Sequence, residues 1–199
     1  MGQIPAMDAM AAPRVTVMMR AGKLVTPAGE FLCILRDVSP TEARLRLFHS
    51  LPADIERGEI ELGSGRRHQV VRRGDAEDGD HAVFAFADGP LDLAQLVEEA
   101  GPYPRRHLRL KVELPIVLAT LSGARMGVLQ DISQLGALVI TEPQLPLGAR
   151  VTISGSGLPE LDGKVRWRRR DAHGLVFTAG FRLDELARLA ADIQAGMRA

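Results

Sequence analysis

Two short stretches carry side chains suited to chemistry, Arg105-Arg106-His107-Leu108-Arg109 and Asp131-Ile132-Ser133-Gln134-Leu135-Gly136. Arg105 and Arg109 stand four residues apart after Gly101-Pro102-Tyr103-Pro104, a run that cannot continue a helix, so both belong to an extended or turning lead-in. A guanidinium fork matches a pair of phosphate oxygens, and equally the O6 and N7 acceptors of a guanine edge. Asp131 and Ser133 alternate across Ile132 at the end of an apolar run, which in a strand sets both polar side chains on one face. Gly136 then permits either a positive φ or close approach of backbone to a ligand. Cations on one stretch and small polar groups on the other suit a ligand that carries both phosphates and guanines.

Short alternating runs surround these residues. After Arg109 they fall at Leu110 to Leu114, Ile116 to Leu121, Arg125 to Gln130, Ala137 to Thr141, Arg150 to Ser154, Gly163 to Arg169 and Leu175 to Phe181, with a turn at Ser122-Gly123. Frequent Gly and Pro between such runs predict a small antiparallel barrel. Leu183, Leu186, Leu189, Ala190 and Ile193 then mark one face of a closing helix, packed over a barrel opening.

The first half follows the same plan. Residues 1–13 are rich in Met and Ala without a period and read as a flexible lead segment. Strand-like runs follow at Arg14 to Met19, Phe31 to Leu35, Ala43 to Phe48, Glu59 to Leu62, Gln69 to Arg73 and His81 to Ala87. Turns are expected near Ala21-Gly22 and at Pro27-Ala28-Gly29, and the acidic run Gly74 to Asp80 reads as a solvated hairpin connection. A short helix over Asp92 to Ala100, ended by Gly101-Pro102, leads to a boundary near Gly101. Three segments result: 1–13, a barrel over 14–100, and a barrel with its helix over 101–199.

The halves repeat at about 93 or 94 residues. Asp37-Val38-Ser39 answers Asp131-Ile132-Ser133, Val83-Phe84 answers Val176-Phe177, and the leucines after Leu91 answer those after Leu183. A repeat of this length is a duplicated domain rather than a solenoid unit. The fold class is therefore mostly β, two tandem small barrels of split-barrel type, each followed by a short helix.

The residues of the second half resemble the PilZ family, bacterial receptors for the second messenger cyclic di-GMP. Arg105 and Arg109 match its RxxxR, Asp131, Ser133 and Gly136 match its [D/N]xSxxG, and Gly174-Leu175-Val176-Phe177 is similar to its closing strand. The resemblance runs from about Tyr103 to the C-terminus. It implies that Arg105 and Arg109 clamp phosphate and guanine edges, that Asp131 and Ser133 bond to guanine, and that Gly136 keeps the surface open. Arg106 and Trp167 are further candidates beside the ligand. The first copy departs from the pattern, with Glu42 in the place of Gly136 and no RxxxR around Arg14, so it reads as a degenerate barrel that does not bind the nucleotide.

Composition narrows the classes. Lys plus Arg and Asp plus Glu each number 25, and a chain of zero formal charge is a poor non-specific nucleic-acid binder. Trp167 lies within Arg166-Trp167-Arg168-Arg169-Arg170; alternation turns its ring inward with the arginines outward, and the alternative sets it against the bound dinucleotide. The single cysteine, Cys33, excludes an internal disulfide and sits in an apolar run as an inert thiol. Five scattered histidines show no metal spacing, and no nucleophile elbow, Walker loop or dinucleotide GxGxxG appears, so neither a metal site nor catalysis is expected. No run is long and apolar enough for a membrane span, and the N-terminus lacks a secretory pattern, which points to the cytoplasm.

The expected mechanism has the ligand draw Arg105 and Arg109 onto the second barrel, fixing the connector and changing the orientation of the first. A protein target in motility, attachment or exopolysaccharide output would read the new surface, and the sequence leaves room for a homodimer. The alternative is a PilZ-like protein-interaction module that binds no nucleotide.

Overall fold

The computed structural model describes residues 15–62, 65–75, 81–92 and 107–197. The expectations for residues 1–13, for the acidic run beyond Asp75, for a helix over 93–100, and for Arg105, Arg106 and the boundary near Gly101 fall outside the described residues. Among the described residues, twelve strands make two closed antiparallel barrels, and one helix follows.

The first barrel comprises β1 (Val15–Thr26), β2 (Gly29–Val38), β3 (Glu42–Leu47), β4 (Arg57–Leu62), β5 (Arg67–Asp75) and β6 (His81–Phe86), closed in the order β1-β2-β3-β6-β5-β4. The second comprises β7 (Leu110–Thr120), β8 (Gly123–Ser133), β9 (Gly136–Ile140), β10 (Arg150–Gly155), β11 (Leu158–Arg169) and β12 (Ala172–Phe177), closed in the matching order β7-β8-β9-β12-β11-β10. Helix α1 spans Leu183–Gly196. Period-two alternation drives both closures. Along β7 the buried Leu110, Val112, Leu114, Ile116 and Leu118 are separated by exposed residues, and burying each is worth about 1.5–3 kcal/mol.

Bulges correct several boundaries inferred from alternation alone. β1 passes straight through Ala21-Gly22, because Gly22 pairs with Cys33 on one side and Leu62 on the other. The irregularity falls earlier, between Thr16 and Arg20, where Met19 takes a φ of 26°. In the second barrel Leu129 pairs with Val139 but Asp131 with Leu138, leaving Gln130 as an extra residue. The first barrel repeats this feature between Leu35 and Asp37. The closing strands shift the repeat as well. Glu42 pairs with Ala85 and Gly136 with Val176, so the strand register sets Phe84 against Leu175, a spacing of 91 rather than the 93 read from the sequence. The loops before β6 and β12 differ in length, and pairing rather than numbering fixes the correspondence.

Each barrel has its own core, yet the two are joined. Phe31, Cys33 and Leu35 face the first core, whereas Leu32 of the same strand packs into the second. The continuous apolar run of β2 reflects burial on both faces. Burial pushes the Cys33 thiol up to about 12, against a weaker opposing hydrogen bond from Leu24, so it stays neutral. Helix α1 places Leu186, Ala187, Ala190 and Ile193 in the second core but lies against β2 as well as β7, at the junction of the barrels. The expectation of a helix over one barrel opening is corrected in this respect, and buried Gln194 shows why. Its Oε1 accepts from Glu30 N at 2.6 Å, while its Nε2 donates to Glu30 O at 2.9 Å.

Candidate ligand-binding site

The extra residue at Gln130 decides where Asp131 points. Unbroken alternation from buried Leu129 would turn Asp131 into the barrel; the bulge advances the phase, so Ile132 is buried and Asp131 emerges on the outer surface. A second irregularity lies opposite, in β7, where Lys111 pairs with Asp131 but Leu114 with Leu129, and Glu113 takes a φ of 47°. Asp131 is thus held between two distortions of the ladder.

Arg109 immediately precedes β7 and reaches the same place. Its Nη1 donates to Asp131 Oδ1 at 2.7 Å, with the guanidinium 43% exposed and the carboxylate 17%. Among the described residues, the other two nitrogens of this fork make no hydrogen bond. Nearby, His107 Nδ1 lies 3.2 Å from Gln134 Oε1. Ser133 is buried, and its hydroxyl donates to the Gly136 carbonyl at 3.0 Å, which closes the turn between β8 and β9. Gly136 does not use a positive φ. A Cβ on it would overlap the Leu175 carbonyl oxygen, so glycine is required by the approach of β12 to β9. The openness expected at Gly136 therefore has a structural origin as well.

These residues form one wall of a cleft of about 550 Å³, within the range of small-ligand pockets. Arg109, Lys111, Asp131, Ser133 and Gly136 line it together with Leu175 and Val176. Arg105 and Arg106 lie outside the described residues. Trp167 does not line the cleft. It is not inward either, being 44% exposed and lying across Gly174 of β12. The reason is again a bulge. Val165 pairs with Leu175 but Trp167 with Gly174, so Arg166 is the extra residue and the phase changes before Trp167.

The opposite wall comes from the first barrel, which sequence reasoning assigned no part in the site. Lys23, Glu30, Glu61 and Arg67 line it. Lys23 lies on the outer face of β1, yet it is only 5% exposed because the second barrel covers it. Its Nζ sits 3.0 Å from Glu30 Oε2 and 3.4 Å from Glu61 Oε2, and donates to the Arg109 carbonyl at 3.0 Å. Glu30 Oε2 also accepts from Lys111 N at 2.9 Å. A buried charge set of this kind is a weak source of stability but fixes geometry, since any other docking would leave charges uncompensated. Glu61 is the cross-strand partner of Lys23, a pairing that becomes visible only when β1 and β4 are known to be neighbours. The one hint in the sequence was the two-faced apolar run after Glu30.

No curated protein matches the chain. Among solved structures, the PlzA protein of Borreliella burgdorferi in complex with c-di-GMP is 15% identical, covering 88% of this chain and 87% of that one at a TM-score of 0.36. YcgR of Escherichia coli in complex with c-di-GMP is also 15% identical, over 90% of this chain and 86% of that one, at 0.34. The Bacillus subtilis inhibitor of motility MotI/DgrA is 13% identical, over 92% and 100%, at 0.37. The family model of the PilZ domain matches residues 103–195. That span takes in the second barrel and nearly all of its helix, 93 of the chain's 199 residues.

Proposed function

We propose that the chain is a receptor for cyclic di-GMP, with the ligand held in the cleft between the barrels. The observation that carries this is the convergence of Arg109, Asp131, Ser133 and Gly136 of a PilZ domain on one 550 Å³ cleft. A dianion would draw the Arg109 fork from Asp131, freeing that carboxylate to accept from a guanine edge. Arg105, four residues upstream, would supply the second fork. Ser133 acts mainly through the turn it closes, because its hydroxyl proton is already engaged. Each good bidentate arginine contact is worth about 1–3 kcal/mol, and micromolar affinity needs about 8 kcal/mol, so two forks with smaller contacts suffice.

The coupling to output follows from the walls belonging to different barrels. Lys23 bonds the carbonyl of Arg109 itself, so moving that peptide perturbs the Lys23, Glu30 and Glu61 set and with it the docking of the first barrel. On this reading the unit boundary near Gly101 is a mechanical joint, the protein acts in the cytoplasm as a receptor rather than an enzyme, and its target is another protein, with homodimerisation as one means of output. Titrating cyclic di-GMP into the full chain by calorimetry tests the reading; absence of heat at micromolar protein would overturn it.

One feature supports a protein-interaction role besides. The cross-strand pairs Pro115 with Val128, Val117 with Met126 and Ala119 with Ala124 make an apolar ladder on the outer face of β7 and β8. Chemical-shift or exchange protection confined to that ladder on adding a partner would favour it.

A further inference from the structure

Among the described residues the cleft holds a second guanidinium beside Arg109, and the PilZ pattern does not include it. Arg67 opens β5 in the first barrel, lines the same cleft as Arg109 and has a side chain 45% exposed. Its Nη1 donates to Glu59 Oε2 at 3.0 Å and its Nε to Glu61 Oε2 at 3.0 Å, while Nη2 makes no hydrogen bond among the described residues. These carboxylates hold the guanidinium pKa above its ordinary value, Glu59 most strongly. A cross-strand ion pair on a barrel exterior explains the two bonds, since Arg67 and Glu61 are register partners. It does not explain why the pair faces a cleft whose other wall presents Arg109 and Lys111.

The two guanidiniums are arranged alike. Arg109 rests on Asp131, Arg67 rests on Glu59 and Glu61, and each carboxylate keeps a cation in place without saturating its donors. Arg67 holds Glu61 through Nε and Glu59 through Nη1, and Lys23 is shared between Glu61 and Glu30, so Nη1 can leave Glu59 while Nε stays on Glu61. Glu59 is retained at the surface by Gln69, whose Nε2 donates to Glu59 Oε1 at 2.7 Å. Exchange of Arg67 from Glu59 to a phosphate therefore strands no buried charge.

We propose that Arg67 is a ligand-binding residue contributed by the first barrel, which rotates from Glu59 onto a phosphate of the dinucleotide in the cleft. The inference rests on the cleft being the nucleotide site, and it makes the degenerate copy half of that site rather than an inert neighbour. Glu59 is then a competitor for Arg67, and its removal should tighten binding, which a purely structural ion pair would not do.

The test is calorimetric titration of cyclic di-GMP into the full chain carrying Arg67→Ala or Glu59→Gln, beside the unmodified chain, at low and high salt. Arg67→Ala should weaken binding about tenfold and flatten its salt dependence. Glu59→Gln should strengthen binding roughly threefold by releasing Arg67 while its amide carbonyl still accepts from Gln69. Thermal melts of both variants accompany the titrations, and the Glu59→Gln result decides the matter if Arg67→Ala unfolds. If the unmodified chain binds and neither variant changes its affinity, Arg67 is a structural ion pair and this proposal fails while the receptor reading stands. If the unmodified chain gives no heat, both fall together.

Discussion

Where the second barrel carries Gly136, the first carries Glu42, and the surfaces around these positions differ in the way that substitution requires. Both barrels have the bulge that turns an aspartate outward, and both follow it with a serine that closes the next turn, Ser39 toward Glu42 and Ser133 toward Gly136. In the first, Asp37 lies 4.0 Å from Arg44 of the adjacent strand, and the hollow beside it measures about 40 Å³. In the second, Asp131 takes its cation from the lead-in before β7, and the space beside it is about 550 Å³. The duplicated framework is therefore a support for binding rather than its cause. What distinguishes the copies is whether the cation reaches in from outside the ladder and whether backbone stands where a side chain otherwise would.

The largest expected effect separates the barrels outright. Residues 1–99 alone should give no heat with cyclic di-GMP, because Asp37 and Ser39 face a hollow too small for a nucleotide and Arg67 lacks its opposite wall. A clear isotherm would break the comparison. In the full chain, Arg109→Ala should lower affinity about a hundredfold while the melting temperature barely moves, since a half-exposed ion pair is worth at most about 1 kcal/mol. Unchanged affinity would remove the lead-in arginine from the account.

Gly136→Ala should destabilise the second barrel by about 1–3 kcal/mol in denaturant titrations, because the new Cβ would overlap the Leu175 carbonyl and β9 must move from β12. A neutral result would mean that the strand gap is soft and that glycine serves the ligand alone. Gln194→Ala should cost about 1–3 kcal/mol by orphaning the buried Glu30 N–H and C=O, and amide exchange should then rise in β2 more than in β12.

The smallest effect is a difference in acid sensitivity. His173 is fully buried in the second barrel, where Ala82 holds the matching position in the first, and its Nε2 accepts from Leu145 N at 3.0 Å. Burial holds its pKa below the ordinary value, opposed by a hydrogen bond at Asp171 and reinforced by Arg168. The unfolded chain thus binds the proton first. The stabilisation is complete above about pH 6.5 and is lost as the pH falls through the depressed folded value. Denaturant titrations from pH 8 to pH 5 should show this decline, and His173→Gln should flatten it.

The alternating runs, their turns and the near-repeat of an aspartate, a residue and a serine determined two β-barrels from the sequence alone, because a period of two leaves little choice about which face is buried. Tertiary structure decided the rest at three kinds of place. Bulges at Gln130 and Arg166 change the phase of alternation, so Asp131 and Trp167 point where a count of residues does not predict. The spacing of three between buried Leu129 and Ile132 was the only trace of the first bulge in the sequence. Lys23, Glu30, Glu61 and Arg67 became part of a site only through the docking of one barrel on the other, since a charge on a strand exterior carries no mark of what will cover it. Gln194 likewise looked like one more polar position near the end of a helix, and its two bonds to Glu30 exist because residues 164 apart in the chain meet at the junction.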